Sequence, residues 1–215
     1  MYLPAHFQQP DRSIIRKLMT EAPLATLVTV TAGALEANHL PMLLEDGDEP
    51  MRLRFHVARA NPVWRESTDA REVLAIFQGP DTYISPNWYA SKAEHGKVVP
   101  TWNYAVVHAY GTLSVLDDKE WLRSFLPRLT GAHEARFEKP WQVADAPADY
   151  TEKMMDAVVG MEIEVTRLVA KWKVGQNQPA ANRESLLAGL TGTDQPGAQA
   201  MAQLISAQEA TPGKP

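Results

Sequence analysis

The chain predicts an antiparallel, mainly β domain with flanking helices, and three observations carry that reading. Period-two alternation at 107–115 sets Val107, Ala109, Gly111, Leu113 and Val115 on one face, with His108, Tyr110, Thr112 and Ser114 on the other. About six such β-rich runs occur with few helical patterns between them, which suits a barrel or sandwich rather than repeated βαβ units. Aromatic residues crowd one stretch: Phe77 to Gly111 holds four of the six tyrosines and two of the six tryptophans.

Each element has a local reason. Ile14, Ile15, Leu18 and Met19 recur at helical spacing behind Asp11, an N-cap residue, and predict a helix over about 12–21. LATLVTVT at 24–31 is β-branched, and Ala32-Gly33 supplies a turn into a second strand over 35–44. Strands follow at 51–58 and 73–78. After the alternating strand, a helix starts at Asp117 and runs to about 128; residues 130–150 are less regular. Met161, Ile163 and Val165 alternate with Glu162, Glu164 and Thr166 in a last long strand that runs into Trp172. The domain then occupies 1–178, and 179–215 is a helical extension. There Asn182 caps one helix, Asp194 caps another over about 197–207, and ATPGKP forms a disordered tip.

Composition excludes several functions. With 215 residues the chain can bury roughly 70% of its unfolded surface and needs no staple. It has no cysteine, which removes thiol catalysis, disulfides and thiolate metal sites, and fits a reducing compartment. No apolar run approaches the roughly 18 residues of a membrane span, and MYLPAHFQQPDR lacks the order of a signal peptide; no membrane partner and a cytoplasmic location are expected. A net charge of −5 opposes nonspecific attraction to nucleic acid. Direct DNA binding is not supported: there is no helix-turn-helix pattern, and Arg183 and Lys214 are the only cations near the C-terminal helices. GxGxxG, the phosphate loop, GxSxG and HExxH are all absent, so no catalytic side chain is assigned and no metal site is expected.

Three places can carry ligand chemistry. Arg52, Arg54 and His56 share one face of their strand, where they can hold an anion; a solvated outer face is the commoner outcome. Asn61-Pro62-Val63-Trp64 has the order of an N-cap followed by a proline at the first helical position, with Arg59 and Arg65 on either side. VPTWNY at 99–104 offers Trp102 or Tyr104 to stack a flat ring and Asn103 to read its edge.

MYLPAHF at 1–7, NHLPM at 38–42, HVARANPVWR at 56–65, FQGPDTYISPNWY at 77–89 and VPTWNYAVVHAYG at 99–111 resemble the PaiB family, described as FMN-binding negative transcriptional regulators. KWKVGQNQ at 171–178 resembles that family's late Lys…Ser-Gln-Asn motif, with Gly175 where serine is usual; the likeness extends over about residues 1–190. The resemblance implies an FMN-binding split β-barrel, related to pyridoxamine phosphate oxidases and small flavin reductases, and a homodimer with flavin in a groove between subunits. It places Asn38, His39, Leu40 and Pro41 along the isoalloxazine. His56, Ala58, Asn61, Pro62 and Trp64 fall at the phosphate turn, and Trp102, Asn103 and Tyr104 line the groove. The oxidases carry Arg and Lys at both phosphate-gripping places; this chain has Asn38-His39 and Asn61-Pro62, so weaker FMN binding is expected. The regulator reading has an alternative, an FMN-dependent oxidoreductase in which FMN accepts hydride. A third, haem binding, needs an axial histidine, and none follows His133.

Overall fold

The N-terminal residues set the pattern of local causes in this fold. In the computed structural model, which describes residues 1–31, 33–45, 47, 50–66 and 72–210, helix α1 spans Arg12–Glu21. Asp11 caps it: its Oδ1 accepts from the Ser13 N–H at 2.8 Å and the Ser13 hydroxyl at 2.6 Å. These bonds from Ser13 hold the Asp11 carboxyl below its usual range.

Strands β1 (Leu24–Thr31) and β2 (Ala34–Pro41) pair antiparallel from Leu24↔Pro41 to Thr31↔Ala34. The run expected over 35–44 breaks at Met42, which is buried and donates its N–H to Pro23 O, leaving Leu43–Leu44 as a short β3. Next come β4 (Arg52–Ala58), the short helix α2 (Val63–Glu66) and β5 (Glu72–Ile84). Helix α3 (Ser91–His95), β6 (Thr101–Leu116), α4 (Lys119–Glu134) and α5 (Ala148–Asp156) follow. The chain ends in β7 (Val158–Lys173), α6 (Ala180–Thr191) and α7 (Ala198–Ala210). The tip expected beyond α7, residues 211–215, and Ala32 of the expected turn lie outside the described residues.

The seven strands form one sheet in the order β2-β1-β5-β6-β7-β4-β3. β5 runs past Gly79-Pro80 instead of stopping at Gln78, and β6 joins VPTWNY's last residues to the alternating strand. Ala109 and Leu113 of the alternating face are buried, as the period of two requires. Asp118, not Asp117, caps α4, because its side chain accepts from the Glu120 N–H; Asp117 pairs with Arg59. Asn182 does not cap α6 either. It is buried inside the helix, behind an N-cap at Pro179.

The chain divides into two compact units. One comprises 16–77 and 108–168, and its core holds Leu27, Leu53, Phe55, Phe77, Phe125, Met161 and Ile163, all fully buried. The other comprises 1–15, 78–107 and 169–215 and is built around Trp172, Ile84, Leu186, Leu190 and Met201. Burial of such side chains stabilises by about 1.5–3 kcal/mol each. Among the described residues no helix is long and apolar enough to cross a membrane.

Candidate functional site

In the 16–77/108–168 unit, the amides of Asn38 and Asn61 meet. Asn61 Nδ2 donates to Asn38 Oδ1 at 2.8 Å, and Asn61 Oδ1 accepts from the Val63 N–H at 3.0 Å. The predicted cap is therefore present, but it consumes the Val63 N–H, and α2 is only four residues long. What the cap does is tie the turn after β4 to β2. Ala58, at the end of β4, and Pro62, on the turn, are exposed. Trp64 Nε1 donates to Arg59 O at 3.0 Å, which fixes the indole, and the Arg65 guanidinium lies 4.6 Å from the ring centroid. No carboxylate partners Arg65 among the described residues. Arg59 is committed elsewhere: its two terminal nitrogens reach the Asp117 carboxylate at 2.9 and 2.6 Å, and these bonds hold that carboxyl below its usual range.

β2 is one edge strand of the sheet, with β1 its only neighbouring strand among the described residues. His39 and Pro41 are exposed, Asn38 and Leu40 half-buried. His39 Nδ1 lies 3.0 Å from the Thr26 hydroxyl. Isoleucine- or leucine-sized residues also stay open at this end of the sheet: Leu35 is 79% exposed and Leu24 64%.

His56 belongs to a different cluster. Its ring packs edge-on against Phe125 of α4, centroids 6.4 Å apart, and Phe125 stacks on Trp121 at 4.6 Å. Its strand neighbours are neutralised rather than waiting for an anion. Arg54 Nε reaches Glu162 at 2.6 Å and its Nη1 reaches Glu45 at 3.0 Å; Arg52 pairs with Glu162 and Glu164. The antiparallel register explains this, since Arg52 lies opposite Glu164 and Arg54 opposite Glu162.

Burial lowers the pKa of His56, and of His108, below the ordinary 6.5. The unfolded chain then binds more protons than the folded one between those lowered values and 6.5, so stability rises with pH across that window and is flat above it. Urea midpoints should therefore fall between pH 7 and pH 5, and His56→Leu should flatten the slope. An unchanged slope in that variant would mean His56 is not a source.

In the other unit, Trp102 is exposed and meets Tyr83 edge-on at 6.2 Å. Tyr104 is half-buried, and Lys171 Nζ lies 5.3 Å from its ring. Asn103, on the opposite face of β6, is 1% exposed, and its Nδ2 has no hydrogen-bond partner among the described residues. It lines a cavity of about 380 Å³ together with residues of α3, of the 96–99 loop and of the segment after β7. The sequence pointed to Asn103 but not to Lys97 or Lys173 on the same cavity wall; the KWKVGQNQ run at 171–178 holds Lys173, and nothing marked Lys97.

The family described as "Putative FMN-binding domain" matches residues 1–167. The chain belongs to that family, and FMN is its cofactor. At 31% identity over 205 residues, 95% of this chain and 96% of the relative, it is similar to the Bacillus subtilis protein named "Protease synthase and sporulation protein PAI 2", so the PaiB resemblance holds. An uncharacterized Emericella nidulans protein is 32% identical over 232 residues, covering 90% of this chain and 92% of its own length. Among solved structures, the fold is similar to the FAD and haem binding protein from Mycobacterium smegmatis, with a TM-score of 0.59, 20% identity, and coverage of 85% of this chain and 80% of that one. It is also similar to the flavocytochrome Anf3 from Azotobacter vinelandii, with a TM-score of 0.53, 16% identity, and coverage of 77% and 69%. These likenesses show the fold alone, a split-barrel-like antiparallel sheet with flanking helices.

Proposed function

We propose that FMN lies along the exposed side of β2, over Asn38 to Pro41, and that a second copy of the chain closes the groove. The observation that carries this reading is the Asn61–Asn38 bond, which joins the edge strand to the turn bearing Trp64 and Arg65. In it, Asn61 positions, the Trp64 indole holds Arg65 in place, and Arg65 faces the flavin phosphate. When bound, FMN supplies two-electron chemistry at its N5 position. Exposed Leu24 and Leu35 supply apolar surface for the second copy.

One guanidinium, without a carboxylate partner among the described residues, is a thin grip for a phosphate dianion, and weak FMN binding follows. A charge-assisted bond contributes about 1.5–3 kcal/mol, so Arg65→Ala should weaken FMN roughly tenfold or more in a fluorescence titration. Asn61→Ala combined with Trp64→Ala should do the same without changing the mass measured by light scattering. Unaltered affinity in both variants would remove this turn from the flavin site.

We place the chain among negative regulators of transcription that act through the flavin rather than by gripping DNA. α6 and α7 carry one arginine, Arg183, whose Nη1 donates to Gln178 O, and Arg52, Arg54, Arg59, Arg123 and Arg128 are bonded to carboxylates. Salt-sensitive binding of the purified protein to duplex DNA at physiological ionic strength would count against this. The same paired surface favours, as a second reading, an FMN-dependent oxidoreductase. Catalytic bleaching of FMN by NAD(P)H in the protein's presence would bring it forward.

A further inference from the structure

The cavity beneath Asn103 lies wholly within the 1–15/78–107/169–215 unit, and its chemistry is one-sided. Its charged groups are all basic: His95, Lys97 and Lys173 line it beside the phenol of Tyr89, and among the described residues no Asp or Glu does. That is a local reversal in a chain of net charge −5. At about 380 Å³ it falls in the range of small-molecule pockets.

The donors are held in place. Lys173 Nζ donates to Trp102 O at 3.0 Å and to the Thr101 hydroxyl. An ammonium has three N–H groups, so one remains for a ligand. The His95 Nδ1 accepts from the Lys97 N–H at 3.0 Å, which in the neutral ring leaves the proton on Nε2. Lys97 is exposed at the mouth. Asn182 anchors the far wall with its polar atoms spent: Oδ1 accepts from the Ser91 N–H, and Nδ2 donates to Ser91 Oγ and Gln178 Oε1.

Asn103 is the exception, a buried amide whose Nδ2 has no partner among the described residues. Leaving such a group unsatisfied is destabilising, because it has given up water without gaining a partner. Gly175 is part of the reason. A Cβ built there would stand 3.8 Å from that nitrogen and 3.3 Å from Leu186 Cδ2, and the backbone at φ +83° disfavours any side chain. The chain thus keeps both the space and the unmet donor.

We propose that this cavity binds a small organic anion whose oxygen atoms accept from Asn103, Lys173 and His95. Carboxylates and phosphate monoesters share that chemistry. The proposal goes beyond the flavin reading and does not rest on it.

Calorimetric titration of the full chain with benzoate and with phenyl phosphate tests it and tells the two sources apart. At least one is expected to bind saturably, with affinity reduced tenfold or more by Lys173→Gln and by Asn103→Ala. Lys97→Gln, at an exposed position that cannot disturb packing, should weaken binding about threefold and also reduce its salt dependence. Where Asn103→Ala or Lys173→Gln fails to fold, the Lys97 variant decides. Absence of binding by both anions at millimolar concentration overturns the proposal, as does wild-type affinity in the lysine variants. Competitive displacement by FMN overturns it too, since the cavity would then be the flavin's own. Loss of the flavin reading alone, with Arg65→Ala leaving FMN affinity unchanged, leaves anion binding standing.

Discussion

Gly111→Ala is expected to lower stability by about 4 kcal/mol or more, an exceptional figure for adding one methyl group. β6 passes β7 so closely at this point that a Cβ on residue 111 would fall 2.2 Å from the Glu164 carbonyl oxygen and 2.7 Å from Ile163 Cγ2. Neither neighbour can yield cheaply. The first is backbone within the ladder, and Ile163 is fully buried. Overpacking of a core by a methylene costs about 1–3 kcal/mol where side chains can shift; here a strand must move. The built-in control is Gly131, inside α4, where an added Cβ meets nothing within 4 Å. Gly131→Ala should stabilise by about 0.5–1 kcal/mol through helix propensity. Urea melts of the two variants should move in opposite directions. A Gly111→Ala protein as stable as the parent would show that the two strands have slack at this crossing.

The same glycine shows what the sequence makes legible. Period-two alternation at 107–115 identifies the strand and its buried face, because side-chain direction depends on nearest neighbours alone. That Gly111 is a crossing point depends on Glu164, more than fifty residues later, and no local pattern carries it. The cationic face of β4 is a similar case. Arg52 and Arg54 are visible as a pair on one face, but their neutralisation by Glu162 and Glu164 follows from the β4–β7 register. Local rules also mislead where a polar residue has a distant use. Asn182 has the look of an N-cap, yet it is buried and bonded to Ser91 in α3. The strand expected over 73–78 stops short of Gly79-Pro80, yet β5 continues through that pair. Of the expected site residues, Asn38, Asn61 and Trp64 form one connected cluster, because a cap and a strand edge are short-range features. His56 points to α4, and Asn103 to a cavity whose basic wall the sequence spreads over 95–97 and 173.

Lys171→Glu should cost about 3–5 kcal/mol, because Lys171 is a buried cation matched to neutral partners. Its side chain is 7% exposed, and the ammonium donates to the Tyr2 carbonyl oxygen at 3.2 Å. Three rings surround it, with centroids 5.3 Å away for Tyr104 and 5.9 Å for Tyr2 and Phe7. Ring faces and a carbonyl oxygen all present negative charge density, which suits an ammonium and repels a carboxylate. Reversing the charge at this position therefore replaces every favourable contact with an unfavourable one, and a buried anion is left without a donor. The N-terminal strip should come loose in consequence, since Gln8 bridges to Lys171 and the Gln9 N–H donates to Ala170 O on the same stretch of β7. Lys171→Met separates charge from packing. It keeps an unbranched stem of similar volume among the rings and removes the desolvation cost, so it should stay within about 1.5 kcal/mol of the parent. Thermal melts, with limited proteolysis to follow release of residues 1–9, distinguish the cases. Equal losses in the Glu and Met variants would show that the ammonium itself, through its bond to Tyr2, holds the strip, and that the rings serve only as packing.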